Sequence, residues 1–385
     1  MIGWETVALE KVADIERDSV AASDIRDGTF YVGLENIQSG GTLLDVRAVD
    51  GGELASSKFA FTEEHLLYGK LRPYLAKIAR PTFAGVCSTD ILPIKPGPLL
   101  DRDYLSHFLR QPGMVDFANS RATGANLPRL SPRVLANFEI PLPPLPEQRR
   151  IAAILDQADT LRTQRRAALA QLDSLTQSLF LDMFGDPVAN PHMWPALKVE
   201  QIASQVTDGE HLTPKREPDG IKLLSARNVR NGHLDFGNVD FVGLEEHERI
   251  KRRCNPVRGD VLISCSGSIG RVASVETDEP LSLVRSVAMI RPKQSVVATK
   301  FLEHYLRTPA MNAYMVRRAN ASSQANLFQG PIREMPVLLP PLPLQQTFAT
   351  RVQAIEALKA QHRAALAEAD ALFASLQQRA FAGTL

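Results

Sequence analysis

The side chains best equipped for chemistry in this sequence are cations set in short tracts. Residues 65–89 contain no acidic residue but hold Lys70, Arg72, Lys77 and Arg80. A second tract gathers Arg249, Lys251, Arg252, Arg253 and Arg258, and Arg121 aligns with Arg318, which follows Arg317. Ammonium and guanidinium groups suit phosphate contacts, and Arg reads guanine through paired hydrogen bonds. A solvated face has the same composition, so charge alone leaves both readings open.

Catalytic signatures are missing. The sequence has no GxxxxGK[ST] phosphate loop, no HExxH, no GxSxG, and no Asn or Asp before Pro-Pro-aromatic of the kind amino-methyltransferases use. The nearest Gly-rich stretch is Cys265-Ser266-Gly267-Ser268-Ile269-Gly270. It reads as a turn between two strands, with a backbone phosphate cradle as the alternative. The eight histidines are scattered, and no metal cluster is legible.

The elements that must position these cations repeat. From Pro143 and from Pro340, at an offset of 197, two segments of more than forty residues align without a gap. Both begin PPLPxQ and share QxRAALA at 164–170 and 361–367. Weaker echoes precede each segment. Trp4 matches Trp194, Asn36-Ile37 matches Asn228-Val229, YLSHFLRQPGM (104–114) matches FLEHYLRTPAM (301–311), and Asn126-Leu127 matches Asn326-Leu327. Each half is thus a variable unit, a proline bracket and a helix.

The first helix is expected over 147–183, after Pro146 and before Gly185, and the second over 344–382. A 3-4 spacing marks a pairing seam through Ile151, Ile154, Leu161, Leu172, Leu175 and Leu179, answered by Ile355, Leu358, Leu372 and Leu376. The seam predicts that the two helices pair, and the repeat makes that pair antiparallel with pseudo-two-fold symmetry. Packing of each helix on its own unit is the alternative. Arg165 and His362 interrupt the seam at equivalent positions, as a register device or as snorkelling side chains.

Both variable units read as α+β. Strands are predicted at 29–34, 91–94, 222–224, 261–264 and 284–290, and helices at 103–109, stopped by Pro112, and 299–306. The resulting division is 1–142, 143–185, 186–338 and 339–385.

Composition fits this plan. With 385 residues and 44% hydrophobic residues the chain can build more than one core. Its 44 Lys plus Arg against 43 Asp plus Glu give +1, which excludes a uniformly basic nucleic-acid binder. Residues 1–140 carry 15 basic and 18 acidic side chains, a net of −3, and residues 185–340 carry 20 and 17, a net of +3. Three cysteines without a CxxC suit a reducing cytoplasm, and neither a signal peptide nor a membrane-spanning run is legible.

The ordered pattern resembles the specificity subunit of type I restriction-modification enzymes. The resemblance rests on the PPLPxQ brackets, the two Gln/Arg/Ala-rich helices, the passage Met183-Phe184-Gly185-Asp186-Pro187 into Asn190-Pro191 and Trp194, GKLRPYL (69–75) and ATGANL (122–127). It implies two tandem α/β-type target recognition domains separated by two long antiparallel coiled-coil helices. It also implies a non-catalytic chain that reads a split, asymmetric site on double-stranded DNA, with the helices as a ruler. Two modification (methyltransferase) subunits would bring S-adenosylmethionine, the adenine-N6 chemistry and the base flipping it needs. Restriction (translocase/nuclease) subunits would bring ATP and Mg.

By position in the resemblance, DNA contacts fall to Lys70, Arg72, Tyr74, Arg121, Asn126, Arg129 and Arg133 in the first domain. In the second they fall to Arg227, Asn228, Arg230, Arg252, Arg253, Arg271 and Arg318, while Arg162 and Arg166 would face the modification subunits. The rival classes are a protein-binding coiled-coil scaffold without DNA specificity and a stand-alone nucleic-acid methyltransferase.

Overall fold

Short apolar runs such as Leu66-Leu67-Tyr68 and Val261-Leu262-Ile263 form central strands because side chains alternate between two faces and both faces are covered. Leu66, Tyr68, Leu92 and Ile94 point into one core, and Leu67 and Ile91 into another with Val32 and Cys87. Val261, Ile263, Ala288 and Ile290 likewise oppose Leu262, Val287 and Met289. The computed structural model describes residues 4–319 and 325–385. The chain divides into two compact units, residues 1–166 with 364–385, and residues 167–363. Each unit therefore takes part of both long helices.

In the first unit an antiparallel sheet runs Ala13–Ile15, Ile91–Pro96, Leu66–Gly69, Ile78–Ala79. A second sheet runs Ser19–Val20, Lys58–Phe61, Gly85–Cys87, Thr29–Val32, Arg47–Val49, with Tyr31 parallel to Val86. The second unit repeats the plan. One sheet runs Ala203–Asp208, Val287–Pro292, Val261–Ser264, Val272–Ser274. The other runs Arg216–Glu217, Asp240–Val242, Ile221–Leu224, Leu281–Leu283, again with one parallel pair, Lys222 beside Leu281. The strand expected at 284–290 is thus two strands, Leu281–Leu283 in one sheet and Val287–Pro292 in another, because the chain changes sheet at 284–286.

The helix Arg102–Leu109 begins where the Asp101 carboxylate accepts from the Asp103 and Tyr104 amides. Pro112 does not simply stop it. Pro112 opens the next helix, Pro112–Ser120, just as Pro309 opens Pro309–Ala319, since proline lacks only a donor that a first turn leaves unused.

The proline bracket has a physical reason. Gln148 is fully buried; its Oε1 accepts from Asp101 N at 2.8 Å and its Nε2 donates to Leu99 O and Pro143 O at 2.9 and 2.8 Å. Gln345 repeats this with Ala298 N, Val296 O and Pro340 O at 2.9, 3.4 and 2.8 Å. Each glutamine satisfies three backbone groups, among them the buried Pro143 O or the buried Ala298 N and Pro340 O, and pins a long helix to its unit.

The long helices run Leu145–Phe184 and Leu342–Phe381, 40 residues each. In the first unit Ile151, Leu155 and Ala158 share a core with Phe373 and Ala380, Arg150 donates to Leu385 O, and Arg162 to Asp370. In the second, Phe180 and Phe184 pack on Phe348 with ring centroids 5.6 and 5.3 Å apart, and Lys359 pairs with Asp173 at 2.7 Å. Within each unit the segments run antiparallel. They also pack on their own sheets and short helices, so both readings of the helices hold together.

The face differs from the expected seam. Leu161, Leu175, Leu358 and Leu372 are 49%, 51%, 48% and 53% exposed. Ile151 and Ile355 of the expected seam are buried, but the buried lines continue through Leu155, Ala158 and half-buried Arg162, through Thr176, Phe180 and Phe184, and through Phe348, Val352 and Lys359. Ile154, Leu172, Leu179 and Leu376 are half-buried, and Arg165 lies on the exposed side. A 3.6-residue turn drifts from a strict heptad, and burial against the globular units rotates the buried face by about one residue. Polar residues survive on it because they are paired: Thr176 with Leu172 O, Lys359 with Asp173 and Glu356, Gln377 with His107 O. Arg162 and Arg166 are not free faces either, since both bind Asp370 and Arg162 lies 4.2 Å over the Phe373 ring.

Candidate nucleic-acid interface

In the first unit two loops close on each other. Arg72 N donates to Pro128 O at 2.7 Å, Leu130 N to Lys70 O at 2.9 Å, and Leu71 bridges Arg129. The 123–129 loop is closed by the Thr123–Arg129 bridge. Gly124 is required there: its φ is +114°, and a Cβ would sit 2.8 Å from Leu127 O. Lys70, Arg72, Tyr74, Asn126 and Arg129 are thereby brought together.

Arg72 adopts φ +52°, a left-handed conformation that non-glycine residues rarely hold, and it places its exposed side chain beside Tyr74, which is 50% exposed. The Arg121 guanidinium stacks 3.4 Å over Phe117, whose ring packs edge-on against Phe138. Asn126, Leu127 and Arg133 are exposed nearby in sequence. An exposed cation, a phenol and a stacked Arg-aromatic pair suit contact with sugar-phosphate and base faces.

The rest of the acid-free tract is internal. Lys77 Nζ donates to Leu34 O at 2.6 Å, and Arg80 holds Asp156 through two bonds of 2.9 and 2.7 Å. Asp156 also meets buried His107 at 2.9 Å; although burial opposes it, these two partners hold its carboxyl well below the usual range.

In the second unit one residue is corrected. Asn228 is buried and accepts from Ser225 N through Oδ1, while its Nδ2 donates to Asp235 O and Asn238 O. Its side chain is spent on clamping a loop rather than presented at the surface. Asn36 does the same with Gly33 N, Leu44 O and Asp45 O, which explains the repeated asparagine.

The other cations are mostly paired. Arg227 binds Asp240 at 2.8 Å, Arg230 binds Asp235 at 3.4 Å, and Arg253 binds Asp208 at 2.6 Å. Arg249 meets Glu210 and Glu246, and Arg258 meets Asp278. Arg252 is exposed at the end of the helix Leu244–Lys251, Arg271 is half-buried, and Arg318 lies 5.3 Å over Tyr314. Asp208 also accepts from Gln329 and meets His211, a hub that the sequence reading missed because its members lie 121 residues apart. The turn 265–270 joins Val261–Ser264 to Val272–Ser274, as expected, and is closed by the Ser264 hydroxyl on Ser268 O.

Burial pushes Cys87, Cys254 and Cys265 up to about 12, so these thiols stay protonated and unreactive. Among the described residues no group of His, Cys, Asp and Glu is placed to hold a metal, and no helix is long and apolar enough to cross a membrane.

A family model described as the type I restriction modification DNA specificity domain matches residues 1–171 and 220–368. The type I restriction enzyme EcoBI specificity subunit of Escherichia coli is 24% identical over 430 residues, spanning 99% of this chain and 86% of that protein. The EcoDI specificity subunit of Escherichia coli is 30% identical over 233 residues, spanning 58% and 51%. Among solved structures, the S subunit of a type I restriction-modification system from M. genitalium matches with a TM-score of 0.66 at 15% identity over 98% and 96% of the two chains. A chain from a type I R-M system in complex assembly matches with a TM-score of 0.58 at 20% identity over 100% and 99%. These structures share the fold.

Proposed function

The chain belongs to the type I restriction-modification DNA specificity family, and from that premise we propose that its two units each read one half of a split, non-palindromic DNA target. The chain supplies DNA sequence specificity, as its family does. The observation that carries the reading of this particular surface is the joined pair of loops bearing Arg72, Tyr74 and Asn126, exposed on a fixed scaffold. Different side chains occupy the second unit's loops, so the two half-sites differ.

The long helices act as the ruler between half-sites. Leu161 and Leu372 in the first unit, and Leu175 and Leu358 in the second, are exposed leucines at equivalent repeat positions. They suit the docking of two modification subunits, which bring S-adenosylmethionine and perform the adenine-N6 transfer; restriction subunits bring ATP and Mg. Three buried, unpaired cysteines suit a cytoplasmic setting.

Selection of bound sequences from a random DNA pool tests the reading. The proposal expects two short motifs at a fixed spacing. A scaffold without DNA specificity would enrich none.

A further inference from the structure

Several cations of the interface have anionic partners within the chain. Arg129 donates through Nε and Nη2 to the two oxygens of Asp90 at 3.1 and 3.3 Å, and Lys70 Nζ stands 3.9 Å from the same carboxylate. Asp90 is fixed in place, since its own C=O accepts from Lys70 N. In the second unit Asp240 and Asp208 hold Arg227 and Arg253 through single contacts of 2.8 and 2.6 Å.

A guanidinium gripping a carboxylate in two parallel bonds uses the same fork it would offer a phosphate. Full engagement of a phosphate by Arg129 therefore means exchanging Asp90 off its Nε–Nη2 edge, because a phosphate approaching the remaining Nη1 edge meets the repulsion of the Asp90 charge. Non-specific DNA binding is almost wholly a count of neutralised phosphates. A loosely held, unregistered duplex gives little to drive that exchange. A cognate duplex, seated by base contacts from the neighbouring loop, holds one phosphate long enough to complete it. We infer that Asp90 is a specificity-determining residue: it keeps Arg129 off the phosphates of non-cognate DNA and releases it in the cognate complex. This inference rests on the DNA-reading function proposed above.

The test compares the full chain with Asp90→Asn, measuring affinity for non-cognate and selected DNA across a salt series. Asp90→Asn should tighten non-cognate binding by about 2- to 5-fold and steepen its log–log salt slope by about 0.9, one added phosphate contact. The slope on cognate DNA should stay unchanged, because Arg129 is already engaged there. The double variant Asp90→Asn/Arg129→Gln should lose most of the gain. A non-cognate slope that does not change, or a gain that persists in the double variant, overturns the inference.

Should Asp90→Asn fail to fold, Arg129→Gln alone decides. It should lower the cognate slope by about 0.9 and leave the non-cognate slope unchanged; a fall in the non-cognate slope overturns the inference. A wild-type chain that prefers no selected sequence defeats the DNA-reading function itself. A selective wild type with an unaltered Asp90→Asn defeats only the role of Asp90.

Discussion

Arg72 sits in a left-handed backbone pocket between two loops, and that strained placement exposes its side chain together with Tyr74. Arg72→Ala or Tyr74→Ala should weaken binding to the selected target about 10- to 100-fold while leaving the preference for the other half-site intact. Competition binding against half-site variants reads this, and unchanged affinity in both variants contradicts it. His304 belongs to stability. Burial, with Arg307, Lys300 and Lys359 nearby, pushes it down to about 3. The unfolded chain takes up a proton near pH 6.5 that the folded chain refuses, so stability falls as pH drops below that value. Between pH 7 and pH 5 His304→Gln should remove about 2 kcal/mol of that loss, measured by urea unfolding at both values. At this scale the sequence showed residue types better than roles. Asn228 was expected to contact DNA by its position in the resemblance, but it and its repeat counterpart Asn36 are loop clamps, and only the backbone groups around them reveal that.

Among elements, the glutamine of each PPLPxQ bracket has the clearest task. Gln345→Ala leaves Ala298 N and Pro340 O buried without partners and should cost about 3 kcal/mol, with Gln148→Ala similar. Urea midpoints measure this, and a loss below 1 kcal/mol contradicts it. The helices themselves were legible: 147–183 and 344–382 were expected, against Leu145–Phe184 and Leu342–Phe381. Their buried face was not. Leucines define a heptad by eye, yet Arg162, Lys359 and Gln377 lie on the buried side because salt bridges and backbone acceptors offset their polarity. The long helices change unit at 166–167 and 363–364. Seven residues inserted at both places should widen the spacer between half-sites by about three base pairs. An unchanged spacer would contradict the ruler.

For the whole molecule, a net charge of +1 describes a chain whose cations are largely neutralised in place. The tandem repeat was legible because the brackets and helices recur at one offset, whereas the sheet order was not, because strands of two to six residues pair across long loops. The internally paired arginines fit a chain that discriminates sequences more than it attracts phosphate in bulk. The most direct test is to map N6-methyladenine across the genome of a host carrying this chain with its modification subunit, and again after residues 190–337 are exchanged for those of another family member. The account predicts methylation at one bipartite motif with a fixed spacer, and an exchange that alters one half-site alone. Methylation at a continuous or palindromic motif, or an exchange that alters both halves, would contradict it.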